Sequence, residues 1–111
     1  MIAMSDMLDD MENREMYLKT YQQGAETLVA VCDCDVMGGK FTEGQLCLEV
    51  NADFFGGEKA SCNEVAAALA SATMANFVGQ KTVEHAISLG YVERDNVLAI
   101  NGVLYAQMVR L

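Results

Sequence analysis

The sequence has no long apolar run: none of its 111 residues belongs to a stretch of 18 or more apolar residues, which argues against a membrane-spanning helix. The start of the chain also lacks the basic and then apolar layout of a secretory signal. We therefore expect a cytoplasmic protein with no membrane partner. Its four cysteines are then expected to be reduced, with no disulfide framework.

Basic residues are scarce, with 7 Lys and Arg against 16 Asp and Glu and a net charge of −9. Proteins that bind nucleic acid draw most of their affinity from Lys and Arg at phosphates, so strong non-specific binding is not expected. The net charge does not exclude a local basic patch that contacts RNA, nor docking on a protein within an RNA-containing assembly. Such a patch requires Lys40, Lys59, Lys81 and Arg110 to share one face.

Patterns typical of enzymes and metal sites are also missing. His85 is the only histidine, and there is no nucleophile elbow, no phosphate-binding loop and no C-x2-C pair. Cys32 and Cys34 lie two apart on a predicted strand and could join Cys47, Cys62 or His85 at a metal. Packing as small apolar side chains is the preferred interpretation. We expect no metal, no cofactor and no catalytic residue.

The composition, 52% apolar and 21% charged, is that of one globular domain, which we place at residues 16–111. An acidic, Met-rich segment, residues 1–15, precedes it. Four apolar residues of that segment recur at helical spacing and form a candidate contact for a protein partner or a second copy: Met4, Met7, Leu8 and Met11. The sequence of this segment fits either a short helix or a frayed tail.

Alternating and apolar runs predict strands at residues 16–22, 26–33 and 45–51. A hairpin is predicted at residues 97–109, because Asn101-Gly102 suits a type I′ turn. A capping box at Ser61 and Glu64 begins a predicted helix that continues through Asn76 to a C-terminal cap at Gly79. A second helix is predicted at residues 82–89. The fold class is therefore α+β: a mostly antiparallel sheet of about five strands, in the order βββααββ, with an αα pair on one face.

Two segments are candidate ligand contacts. Phe54 and Phe55 precede Gly56 and Gly57; we expect one aromatic ring in the core and the other free to contact an RNA base or a partner, the alternative being a loop plug. The second segment consists of Gly79, Lys81 and Thr82. Amides at a helix N-terminus beside a lysine can hold an anion such as an RNA phosphate, the alternative being a plain helix cap.

Several short motifs occur in order along the chain: Val31-Cys32-Asp33, Gly39-Lys40-Phe41, Glu43-Gly44, Phe54-Phe55-Gly56-Gly57-Glu58, Ala75-Asn76-Phe77-Val78-Gly79, Asn101-Gly102-Val103 and Ala106-Gln107. The same order is seen in an archaeal family, the domain of unknown function 424. Residues 16–111 resemble this family. The family usually has tyrosine in place of Phe55 and often has proline and histidine in place of Leu104-Tyr105.

The resemblance implies no established reaction and only a loose association with translation or RNA binding. The first hypothesis is therefore a non-catalytic binding module that contacts RNA or a ribonucleoprotein particle. The alternative is a protein-protein adaptor or a homo-oligomer without RNA contact. An enzyme is the third hypothesis.

Overall fold

The structure is a computed structural model that describes residues 14–110, in which eight strands form two sheets. The larger sheet has the strand order β5-β1-β2-β6-β8-β7, and the smaller sheet is the hairpin β3-β4. The strands are β1 (Met16–Gln23), β2 (Glu26–Asp33), β3 (Lys40–Glu43), β4 (Leu46–Glu49), β5 (Glu58–Ala60), β6 (Met74–Val78), β7 (Leu98–Ile100) and β8 (Val103–Val109). The helices are α1 (Ala52–Phe55), α2 (Cys62–Leu69) and α3 (Gln80–Ser88).

The α+β class is confirmed, but the predicted sheet is partly wrong. Six strands form it rather than five, and it is mixed, because β2 and β6 run parallel while the other neighbours run antiparallel. The predicted order βββααββ is also wrong. β6 separates α2 from α3, so the two helices do not follow each other directly, although both contribute to the same core cluster.

The long helix predicted from Ser61 to Gly79 is the source of this error. Its capping box is present, with the Glu64 amide 3.2 Å from Ser61 Oγ and the Ser61 amide 3.1 Å from Glu64 Oε1. The helix nevertheless ends at Leu69. Thr73 then exchanges hydrogen bonds with Thr27, its amide lying 2.8 Å from the Thr27 carbonyl oxygen. These bonds align the following residues with β2, so residues 74–78 form a strand.

The predicted hairpin at residues 97–109 is confirmed, and the first two predicted strands also pair with each other as a hairpin. β1 and β2 pair from Met16 opposite Asp33 to Gln23 opposite Glu26. The β7–β8 turn has φ of 50° at Asn101 and 82° at Gly102, as a type I′ turn requires.

The larger sheet is covered on both faces. Along β2, Val29 and Val31 face a core shared with α2 and α3, whereas Ala30 and Cys32 face a second core. The hairpin β3–β4 and helix α1 contribute Leu48, Val50 and Phe55 to that second core. Helices therefore cover one face, while a hairpin and a single helical turn cover part of the other. None of the helices formed by residues 14–110 is both long and apolar enough to cross a membrane.

Candidate functional site

The first predicted contact segment lies in and after α1. Phe55 is buried, whereas Phe54 is half-buried and stacks on Tyr21, with 5.3 Å between ring centroids and 21° between the ring planes. The two glycines are needed by the fold itself. A Cβ on Gly56 would collide with the Ala52 carbonyl, and one on Gly57 with the carbonyl of Leu18 in β1. The close approach that these glycines permit is thus made by the chain's own backbone.

The second predicted segment lies at the N-terminus of α3, where the protein supplies its own anion. The buried carboxylate of Asp33 accepts hydrogen bonds from the Lys81 amide at 3.0 Å and the Thr82 amide at 2.8 Å. Thr82 Oγ1 donates a third bond at 2.7 Å. Gly79, the N-cap residue, has φ of 106°, and a Cβ there would collide with the Asp33 side chain. Asp33 therefore occupies the position that an external anion would take at these amides.

The basic side chains do not share one face. Lys81 lies beyond the C-terminal end of β6 and pairs with Glu15 at 2.9 Å, which raises the pKa of Lys81. Arg110 lies at the other end of the same sheet, where its amide bonds the Thr73 carbonyl and its guanidinium lies over Tyr91. Lys40 lies on the separate β3–β4 hairpin. Lys59 lies on β5, at one edge of the larger sheet. The four residues expected to form a basic patch therefore lie on separate parts of the fold.

The cysteines and the histidine are not assembled into a reactive centre. Cys32 is fully buried, and this burial raises the pKa of its thiol to about 12. His85 Nε2 lies 3.0 Å from the Cys62 carbonyl oxygen, a backbone atom. Within residues 14–110, no three His, Cys, Asp or Glu side chains are placed to hold a metal ion.

A groove of about 520 Å³ lies on the sheet face that carries the hairpin. We call it the amide groove. Residues of β6 and β8 form its floor, all four residues of β4 line one side, and β7 and α1 complete it. The lining residues are Leu46, Cys47, Leu48, Glu49, Phe54, Phe55, Asn76, Leu98, Ile100, Tyr105 and Gln107.

Three polar side chains are joined at the floor of the amide groove. Asn76 Oδ1 accepts a hydrogen bond from Gln107 Nε2 at 2.9 Å and one from the Tyr105 hydroxyl at 3.3 Å. Asn76 and Gln107 lie directly opposite each other on β6 and β8. Burial raises the pKa of Tyr105, although its hydrogen bond with Gln107 opposes this, so the phenol stays neutral at physiological pH. Among residues 14–110, neither Asn76 Nδ2 nor Gln107 Oε1 has a protein partner.

Exposed apolar side chains surround this polar floor. The large apolar residues most exposed in the described part of the chain are Val109 at 62%, Leu98 at 51% and Leu46 at 49%. Leu46 and Leu98 line the amide groove, and Val109 lines an adjoining depression that shares Asn76 and Gln107 with it. Exposed apolar side chains grouped around unpaired polar atoms are typical of binding surfaces.

Comparison with known proteins places this architecture in a family. Residues 21–111 match the family described as Protein of unknown function (DUF424). The chain belongs to that family. The matched range contains every residue that lines the amide groove, while residues 1–15, including the predicted contact stripe, lie before it.

A solved crystal structure shares this fold. The crystal structure of an uncharacterized conserved protein from Methanopyrus kandleri superposes with a TM-score of 0.72 at 18% sequence identity. The alignment covers 86% of this chain and 94% of that one. At this identity the likeness establishes the shared fold. No functionally curated protein matches the chain.

Three of the seven motifs that carry the family resemblance contribute lining residues to the amide groove, although sequence reasoning missed the groove itself. These residues are Phe54, Phe55, Asn76 and Gln107. Asn76 is a polar residue on the apolar face of the helix predicted from Ser61 to Gly79, so that prediction places it toward a helical core. The β7–β8 hairpin does predict that Tyr105 and Gln107 share a face, since they are two residues apart on one strand. Nothing local indicates that β6 lies beside them. The predicted partner stripe, Met4, Met7, Leu8 and Met11, lies outside the described residues.

Proposed function

We propose that this protein is a non-catalytic binding module and that the amide groove holds its ligand, a segment of a partner protein. The observation that carries the proposal is the Asn76–Gln107 pair, which presents an unpaired N–H donor beside an unpaired carbonyl acceptor among exposed apolar side chains. The protein is then an adaptor, the alternative hypothesis from the sequence.

The polar floor suits a ligand that carries a donor and an acceptor side by side. A peptide group has this arrangement, and so does the side chain of Asn or Gln. Leu46 and Leu98 add apolar contacts of the kind that exclude water around such bonds. No Lys or Arg lines the groove, and the acidic Glu49 does, so the groove offers phosphate no counter-charge.

The side chains with catalytic potential are used elsewhere in the fold, which supports a binding role. Both carboxylate oxygens of Asp33 accept hydrogen bonds from α3. The Cys32 thiol, with a pKa of about 12, is protonated at neutral pH and is therefore a poor nucleophile.

RNA contact is the second candidate, favoured by one feature at the edge of the groove. Phe54 stacks on Tyr21, and Lys19 Nζ lies 5.3 Å from the Tyr21 ring centroid. Aromatic rings beside a cation are typical of surfaces that bind single-stranded nucleic acid. Here Lys19 also donates to the Asp53 carbonyl oxygen at 2.8 Å, so its charge is partly engaged within the protein.

Affinity purification from a lysate of the source organism tests the proposal, with a double substitution, Asn76→Ala and Gln107→Ala, as the decisive variant. We expect the wild-type protein to retain a protein partner after ribonuclease treatment and the double variant to lose it. The matched control is Gln22→Ala, an exposed glutamine on β1 that does not line the groove. It should retain the partner.

Two results would contradict the proposal. A partner held equally by the double variant and the wild type, with both proteins folded by amide NMR, would place the ligand elsewhere. Recovery of RNA alone, lost on ribonuclease treatment and reduced by Phe54→Ala, would favour the second candidate.

A further inference from the structure

We propose that the occupant of the amide groove is an extended, basic segment of a partner protein that pairs with the free edge of β4. The segment becomes a third strand of the small β3–β4 sheet. This inference rests on the proposed function and specifies its ligand by conformation and charge.

The free edge follows from the hydrogen bonds of the β3–β4 hairpin. The Val50 amide donates to the Gly39 carbonyl at 2.9 Å, and the Val50 carbonyl accepts from the Gly38 amide at 2.8 Å. Backbone groups in an antiparallel pair alternate between facing the partner strand and facing away from it. Leu48 and Leu46 therefore direct their backbone groups toward β3, whereas Cys47 and Glu49 direct theirs away.

No strand is hydrogen-bonded to that edge among residues 14–110, where β4 pairs with β3 alone. All four β4 residues line the amide groove. Strand addition is a recurrent mode of peptide binding, in which backbone hydrogen bonds supply affinity and alternate side chains enter pockets. An incoming strand would place alternate side chains over the floor formed by Asn76 and Gln107. Over the length of β4 it needs roughly four paired residues, or about 13 Å of extended chain.

The acidic residues around the groove indicate that the bound segment is basic. Glu49 lines the groove, and Asp53 lines a second depression that shares Phe54 with it. No Lys or Arg lines either, and Lys19 near Asp53 donates to its backbone carbonyl oxygen. The nearest counter-charge to Glu49 is Lys40, whose Nζ lies 3.6 Å from its carboxylate in a pair with side-chain exposures of 63% and 61%. Such an exposed pair is weak and easily exchanged. The side chains of a basic strand therefore find two available carboxylates.

The same argument excludes the chain's own N-terminal segment as the preferred occupant. Residues 1–13 contain Asp6, Asp9, Asp10 and Glu12 and no Lys or Arg. Placed in the groove, these carboxylates would lie near Glu49 and Asp53, and like charges repel.

Two exposed cysteines provide a test within the native protein. Cys47 lies on the free edge of β4, and Cys62 lies at the start of α2 on the opposite side of the sheet. We would measure iodoacetamide labelling of each by mass spectrometry in the full chain. The probe is a peptide of about ten residues that alternates lysine and valine, long enough to span β4 with flanks on both sides. Saturating peptide should slow labelling of Cys47 about tenfold and leave Cys62 unchanged.

Matched probes separate strand pairing from simple charge attraction. Lysine-valine peptides with an N-methyl group on every backbone amide keep their charge and have no N–H on either edge to pair with β4, and they should not protect Cys47. Glu49→Gln should weaken protection by the unmodified peptide about fivefold. The control Glu58→Gln, an exposed residue on β5 at the opposite sheet edge, should leave it unchanged.

The inference is overturned if the lysine-valine peptide gives no protection, or if the N-methylated peptides protect equally well. It is also overturned if Cys47 is protected instead by a glutamate-valine peptide, by a peptide of residues 1–13 or by single-stranded oligouridylate. These results do not contradict the proposed function if the double substitution at Asn76 and Gln107 still abolishes binding of the natural partner. Retention of that partner by the double variant contradicts the proposed function itself.

Discussion

Cys32 shows how a single buried residue ties stability to pH. Its side chain is fully buried on the groove side of β2, and burial, with Cys34 and Asp33 beside it, raises the pKa of the thiol from 9.0 to about 12. The neutral thiol is thus favoured in the folded state. Above about pH 9 the unfolded chain releases this proton while the folded protein keeps it, so stability falls as pH rises.

We expect a contribution from Cys32 of at most about 1.4 kcal/mol per pH unit to the loss of unfolding free energy above pH 9. Urea unfolding at several pH values between about 8 and 10.5, for wild type and Cys32→Ala, measures it. The variant should be less stable at pH 8 because of the lost packing, and its stability should fall less steeply with pH. Parallel curves for the two proteins would show that Cys32 does not cause the dependence.

Asn76 shows at the same scale why the candidate site could not be predicted from the sequence. An amide among apolar residues signals a polar contact, but the partner is fixed only by strand register. Gln107 lies 31 positions further along the chain and meets Asn76 because β6 pairs with β8. Residues that bind through such long-range register have no local pattern.

At the scale of elements, local chemistry accounts for what was predicted correctly. The Ser61–Glu64 capping box and the Asn101-Gly102 turn each act within four residues, so the sequence alone identifies them. β6 is different. Spacings of three and four residues relate Val65, Leu69, Ala72 and Asn76, which fits a helix, yet residues 74–78 pair with strands on both sides. Tertiary pairing outweighs local periodicity for so short a segment.

The cap of α3 is an element-scale feature that joins distant parts of the chain. Asp33 ends β2 and caps a helix that begins 47 residues later, at Gln80, accepting bonds from two amides and one hydroxyl. Asp33→Ala would leave those donors unpaired in a buried site. We expect a loss of about 2–4 kcal/mol in the free energy of unfolding, measured with urea.

Asp33→Asn is the matched variant for this cap. The asparagine keeps one acceptor oxygen and loses the charge that complements the helix dipole, so its loss should be smaller, about 1–2 kcal/mol. Equal losses for the two variants would show that side-chain packing, not the hydrogen bonds, accounts for the role of Asp33.

At the scale of the whole molecule, the larger sheet lies between the helices α2 and α3 on one face and the β3–β4 hairpin on the other. This arrangement predicts which part of the protein unfolds locally first. β2 and β6 are central strands, covered on both faces and paired on both sides, and Val29, Val31, Phe77 and Val78 are fully buried. The β3–β4 hairpin has only two strands and covers one part of one face. Amide hydrogen exchange should therefore give opening free energies near the global value in β2 and β6 and much lower values in the hairpin.

The amides of Cys47 and Glu49 test this prediction most directly. They face away from β3, because backbone groups alternate in direction along a strand of the hairpin. In the free protein they should exchange faster than the amides of Leu46 and Leu48, which are directed toward β3. A strand added at the β4 edge would bond these two amides and slow their exchange, with little change at Val29 or Phe77. Protection of Cys47 and Glu49 equal to that of Leu48 in the free protein would mean that the edge is already paired. A bound partner would then have to use the floor of the groove without the edge.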